Sequence, residues 1–216
     1  MTGSQPRQAI GLALLVAALA VFAWLAGRVA GGGTLAFDAV IRQSVHQHAS
    51  PALTTLMRGV SSLGSPLALL LLGTAAFVVL LAAHSRSGAV FFLITMAGAI
   101  VLDAALKLGF HRARPAAFFA TPDPGSYGFP SGHALIAACY LGVVAALAAE
   151  RIRSRAARVL VWCAALTMAA LIGLSRIYLG LHYPSDVLAS YAIAALWLFG
   201  AKRGQTHWFP APGGRP

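Results

Sequence analysis

The sequence has little charge and almost no acid: five Asp and Glu among 216 residues, and 10% charged residues in all. A soluble domain typically carries about 25% charged residues and roughly 45–50% apolar ones. Here the apolar share is 59% and the mean hydropathy +0.77, which excludes a water-soluble globule. Cysteine is also scarce. Cys139 and Cys163 both lie inside apolar runs, which excludes a disulfide framework of the secreted type. Against the five acids stand 16 Lys and Arg, a formal charge of +11. In a soluble protein that imbalance suggests nucleic acid. These basic residues instead gather in short links between apolar runs, as orientation in a membrane requires. The expected partner is the bilayer, not nucleic acid.

What the sequence does have is long apolar runs. Spanning about 30 Å of hydrocarbon takes roughly 20 apolar residues in a helix. Six runs qualify once their small or aromatic flanks are added: 10–25, 66–83, 89–106, 134–149, 159–174 and 187–201. The first follows a single basic residue, Arg7, as a signal peptide would, but it is long and Arg28 closes it, so it reads as a span. The fold class expected is all-α, an integral membrane bundle of six transmembrane helices forming one domain over residues 1–203. Between the first two spans, residues 31–65 do not cross. Phe37, Val40, Ile41 and Val45 recur at helical spacing, and Leu53, Met57 and Val60 repeat the pattern after Pro51. They predict two short amphipathic helices lying in the interface, either a lip admitting a lipid or a plain connector. Residues 204–216, with Pro, Gly and an interfacial Trp208, read as a flexible tail.

An even number of spans puts both termini on one side. That side holds nine basic residues and the other seven, or four once Lys107, Arg114 and Arg176 are set aside as site residues. Both termini are then expected in the cytoplasm.

The links after spans three and five share the opposite face, and they carry nearly every unexpected polar residue. Lys107 is followed, after six residues, by Arg114-Pro115. Pro130-Ser131-Gly132-His133 opens span four. Ser175-Arg176 is followed after five residues by His182, and after three more by Asp186, where span six begins. Singly these are ordinary: a snorkelling cation, an N-cap and turn, an interfacial histidine. Together they describe a phosphoryl-transfer site. Three cations neutralise phosphate oxygens, Arg gripping two at once. Ser131 and Gly132 sit at a helix N-terminus, where free N–H groups and the dipole favour an anion. One histidine can attack phosphorus while the other protonates the leaving oxygen. Asp186, four residues after His182, can hold its imidazole. That spacing favours His182 as nucleophile without deciding between the histidines. The scheme requires no metal or other cofactor, and the three cations would repel zinc from the His/Asp set. Asp103, four residues before Lys107, is expected to pair with it, and His111 and Arg112 to add positive potential at the mouth of the site.

The three groups resemble the tripartite signature of the type-2 phosphatidic acid phosphatase superfamily, which also includes bacterial undecaprenyl-diphosphate phosphatases and vanadium haloperoxidases. Its pattern is Lys, six residues, Arg-Pro; Pro-Ser-Gly-His; Ser-Arg, five residues, His, three residues, Asp. This sequence matches every position between Lys107 and Asp186. The resemblance implies that His182 forms a phosphohistidine with Asp186 as orienting partner, and that His133 protonates the leaving group and later activates water. Lys107, Arg114, Ser131, Gly132 and Arg176 would bind the phosphate. It implies a membrane lipid phosphatase acting on a phosphomonoester or diphosphate lipid such as phosphatidate, phosphatidylglycerophosphate or undecaprenyl diphosphate. With a composition rich in Ala, Arg and Gly, the expected location is a bacterial inner membrane with the site at the periplasmic or outer face. The alternatives are a vanadate-dependent haloperoxidase, against which the spans count, and a non-enzymatic transporter or scaffold, against which His182 and Asp186 count. The particular lipid and the oligomeric state are not written in these motifs.

Overall fold

In hydrocarbon a backbone polar group can be satisfied only by its own helix or a neighbouring strand, so apolar runs of this length become helices. The computed structural model describes residues 5–31, 36–119 and 125–209, and among these it forms eight α-helices and no strand. They are α1 (Gln5–Ala30), α2 (Ala36–Gln47), α3 (Pro51–Leu63), α4 (Pro66–Ala82), α5 (Arg86–Phe110), α6 (Gly132–Arg151), α7 (Arg155–Tyr178) and α8 (Pro184–Trp208).

Five of these, α1, α5, α6, α7 and α8, are each long and apolar enough to cross a membrane. The expected second span, α4, has 17 residues, about 26 Å at 1.5 Å per residue, which falls short of the hydrocarbon thickness. It reaches six crossings only as a bent pair with α3, the two meeting at 48° across Gly64 and Ser65. Both helices start alike: Ser50 and Ser65 cap them, their hydroxyls accepting from Leu53 N and Ala68 N at 3.3 Å, with Pro51 and Pro66 at the first helical position.

The amphipathic periodicity between the first two spans does form helices, α2 and α3, but α3 does not simply lie in the interface. Its Met57 and Ser61 are buried, and it packs on α7. The expected tail also begins later than read, because α8 runs through Gly204 to Trp208, whose ring folds back on Gly204. The rest of that tail, residues 210–216, lies outside the described residues.

α6 and α8 form the centre. α6 packs against α5, α7 and α8, and α1 closes on α8. Close approach is permitted where glycine faces a large side chain: a Cβ on Gly98 would fall 1.9 Å from the Trp197 ring, whose Nε1 donates to Thr95 O at 2.9 Å. At one end of the bundle the C-termini of α5 and α7 meet the N-termini of α6 and α8. There Phe129, fully buried, packs between Phe22 of α1 and Phe110 of α5 and anchors the loop leading into α6.

Candidate active site

That end of the bundle gathers all three sequence groups. Lys107, in the last turn of α5, donates to Asp103 Oδ2 at 2.6 Å, the pairing expected from their spacing. His111 caps α5 in the left-handed conformation (φ 48°), its N–H reaching Lys107 O at 3.0 Å, and its ring meets Tyr127 edge-on. The chain then turns and lays Arg112 and Arg114 against α8 and the α7–α8 turn.

Arg114 is held by Ser126, with Nε donating to the carbonyl at 2.7 Å and Nη2 to the hydroxyl at 3.0 Å. Its Nη1 reaches Leu181 O at 3.1 Å and lies 2.8 Å from His182 Nε2. His182, 1% exposed, places Nδ1 2.9 Å from Gly128 O. A carbonyl only accepts, so Nδ1 carries the proton and Nε2 the lone pair. Asp186 Oδ2 lies 3.4 Å from the same Nδ1. The spacing argument thus identified a neighbour of the imidazole, but the short hydrogen bond comes from Gly128, a backbone acceptor no sequence pattern marks. Burial first, then the charges of Arg114 and Arg176, hold the His182 imidazole well below its ordinary pKa, so it is neutral at pH 7.

Ser131 is the N-cap residue of α6. Its own N–H is taken by Ser190 Oγ at 2.9 Å, while its buried hydroxyl has no partner among the described residues. The next position must be glycine: a Cβ on Gly132 would lie 2.9 Å from Lys107 Nζ and 3.0 Å from both Asp103 oxygens. Arg176, buried, donates through Nη1 to Ser61 Oγ at 2.6 Å, and its buried Nε is unpartnered among the described residues. His133 lies within electrostatic range of Arg176, His182, Arg114 and Lys107, and its ring edge faces Gly64 at the α3–α4 bend. All eight residues singled out by spacing therefore converge on one end of the bundle.

One residue turns out differently and brings in another that no motif marks. Arg112, expected at the mouth, is turned inward with its side chain 9% exposed. It bonds Asp186 Oδ1 and Ser185 Oγ on α8, and Asp38 Oδ2 on α2 at 3.0 Å, and its guanidinium stacks on the Tyr183 ring. Asp38, fully buried, accepts from Ser185 N at 2.8 Å and Ser185 Oγ at 2.6 Å. The available signal was scarcity: in a chain with five acids, each deserved a partner.

A phosphate would find here two donors unpartnered among the described residues, cations, and a neutral imidazole whose Nε2 faces Arg114. The chain belongs to the PAP2 superfamily, which it matches over residues 88–209, and is a multi-span membrane hydrolase of phosphate esters. It is 28% identical over 191 residues to phosphatidylglycerophosphatase B of Bacillus subtilis, covering 84% of this chain and 89% of that one. Over 129 residues it is 30% identical to undecaprenyl-diphosphatase of Sulfolobus acidocaldarius, covering 57% of this chain and 55% of the relative. Among solved structures, a transmembrane PAP2-type phosphatidylglycerolphosphate phosphatase from Bacillus subtilis superposes with a TM-score of 0.79 at 26% identity, over 93% of this chain and 98% of the other. Aquifex aeolicus LpxE shares the fold, with a TM-score of 0.62 at 22% identity over 78% of this chain and 96% of that one.

Proposed function

We propose that the protein hydrolyses a phosphomonoester or diphosphate on a lipid through a phosphohistidine at His182 Nε2, without a metal. The observation that carries this is the His182 environment: Nδ1–H fixed on Gly128 O, Nε2 facing Arg114, and the ring kept neutral. Arg114, Arg176 and Lys107, with the Ser131 hydroxyl beside Gly132, bind the phosphate oxygens and neutralise charge as the transition state forms. Nε2 attacks phosphorus in line; its P–O bond to the lipid alcohol, or to the inner phosphate of a diphosphate lipid, breaks and the leaving oxygen takes a proton from His133. His133 then removes a proton from water, which attacks the phosphorylated nitrogen's phosphorus, the P–N bond breaks, and inorganic phosphate leaves with His182 neutral again. Asp186 stabilises the positive ring of the intermediate.

The phosphate sits where helix ends meet the interface, beside α2 and α3, so the substrate is a lipid of that leaflet: a charged headgroup crosses hydrocarbon only at high cost. Names of similar proteins and the three cations together favour undecaprenyl diphosphate, phosphatidate or phosphatidylglycerophosphate over soluble sugar phosphates. The site faces the periplasm or outer surface of a bacterial inner membrane, with both termini in the cytoplasm.

Phosphate release from these lipids, measured on purified protein in detergent, tests the reading. His182→Ala should fold and lose essentially all turnover together with an acid-labile phosphoryl label on the protein. His133→Ala should slow turnover about 10²–10⁴-fold, as loss of a general acid does. EDTA should leave the rate unchanged. Substantial activity in His182→Ala would overturn the assignment.

A further inference from the structure

We propose that Asp38 of α2 is a positioning residue for the reaction, leaving Asp186 able to hold a positive His182 by offsetting the charge of Arg112. The inference rests on His182 as the nucleophile and assigns a task to an interfacial helix outside the three motifs.

Asp186 is bonded to a guanidinium, so by itself that pair carries no net charge with which to support an imidazolium. Asp38 changes the sum. It binds the other nitrogen of the same guanidinium, Nη2, at 3.0 Å, and all three groups are shielded from water, the acids fully and Arg112 nearly so. Two carboxylates and one guanidinium leave one negative charge. In a low-dielectric interior an uncompensated charge is costly, and the ring 3.4 Å from Asp186 Oδ2 is the group that turns positive when Nε2 is phosphorylated. Among the described residues, the other charged or titratable groups around His182 are Arg114 from the loop, Arg176 of α7, His133 of α6, and Lys107 of α5, which is already paired with Asp103. Apart from the Asp103 carboxylate, each of these is or can become positive, so among the described residues the negative charge supplied through Asp186 has no substitute.

The same contacts fix geometry. Ser185 N and Oγ bind Asp38 while Ser185 Oγ also accepts from Arg112 Nη1 at 2.7 Å, so α2 is tied to the first turn of α8, where Asp186 sits. Asp38→Asn keeps an oxygen to accept from Ser185 N and removes the charge, together with the Oδ2 acceptor that Arg112 Nη2 and Ser185 Oγ use.

The test uses the full-length protein in detergent, with kcat, KM and pH profiles for phosphate release from phosphatidate, phosphatidylglycerophosphate and undecaprenyl diphosphate. Asp38→Asn should lower kcat about tenfold or more, the size of a one-unit loss of stabilisation, with KM within about twofold of wild type, and should move the acidic limb to lower pH, because His182 then resists protonation more. Arg112→Gln should move that limb the other way, and Asp38→Asn/Arg112→Gln should return it toward wild type and recover part of kcat. Opposite shifts and a compensating double variant do not arise from structural damage, and Arg112→Gln keeps the idea testable if Asp38→Asn does not fold. If His182→Ala is inactive while Asp38→Asn keeps wild-type kcat and profile, or if both single variants shift the limb in the same direction, the role of Asp38 is overturned and the nucleophile stands. If His182→Ala is active, the underlying reading falls instead.

Discussion

In the proposed reaction one nitrogen, His182 Nε2, attacks phosphorus, and two neighbours decide its state. Gly128 O takes the proton on Nδ1, and Arg114 faces the lone pair on Nε2. Because burial and the cations lower the His182 pKa, the imidazole stays neutral into mildly acidic solution. The acidic limb of kcat/KM should therefore lie clearly below 6.5, the ordinary histidine value, and Arg114→Gln, which removes a neighbouring positive charge, should move it upward as well as slowing turnover. A limb at or above 6.5 in wild type would contradict the neutral imidazole. Gly132 makes a steric prediction at the same scale. Ala there would push on the Lys107 ammonium and Asp103 carboxylate within 3.0 Å, so Gly132→Ala should impair phosphate binding, read as a raised KM, while the protein still folds.

Among the helices, the α5–α8 contact depends on what is missing from position 98. With Trp197 resting where a Cβ would be, Gly98→Val forces the indole away and breaks its bond to Thr95 O. Overpacking of this kind costs about 1–3 kcal/mol or more, and a lower unfolding temperature in detergent is the expected outcome. The existence of each long helix was legible in apolar runs, but its ends were not. Lys107, Glu150 and Arg176 lie inside helices rather than beyond them, because a charged side chain at a span end can bond or reach polar surroundings without ending the backbone ladder. The periodicity of α2 and α3 was equally visible. That α3 leans into the bundle was not, since the contact that records it, Ser61 Oγ on Arg176, involves a residue with no hydropathic signature.

Across the whole molecule, the motif groups converge on one candidate site because each lies on a chain reversal at the same end of the bundle. It could not find the Asp38–Arg112 pair, whose members are 74 positions apart and obey no local period. Orientation belongs to this scale too. With Cys163, which is exposed, replaced by Ser, cysteines at Gln47 and Ser154 mark the site end and the opposite end. An impermeant thiol reagent on intact cells should label Gln47→Cys and spare Ser154→Cys. The reverse pattern would place the site in the cytoplasm.

The Lys107–Asp103 pair has a bearing on turnover. A cation already engaged by its own carboxylate at 2.6 Å gives a phosphate less than a free one would, because part of each new contact replaces an old one. With Lys107 binding phosphate as proposed, a catalyst that ends every cycle by letting go of inorganic phosphate would gain from that weakness: the lysine would be lent to the anion and recaptured by Asp103 when product departs. Asp103→Asn should accordingly make inorganic phosphate a stronger inhibitor, with its Ki falling several-fold, and should raise no turnover rate. On that reading, a tether that keeps the grip loose would set how soon the next lipid can enter.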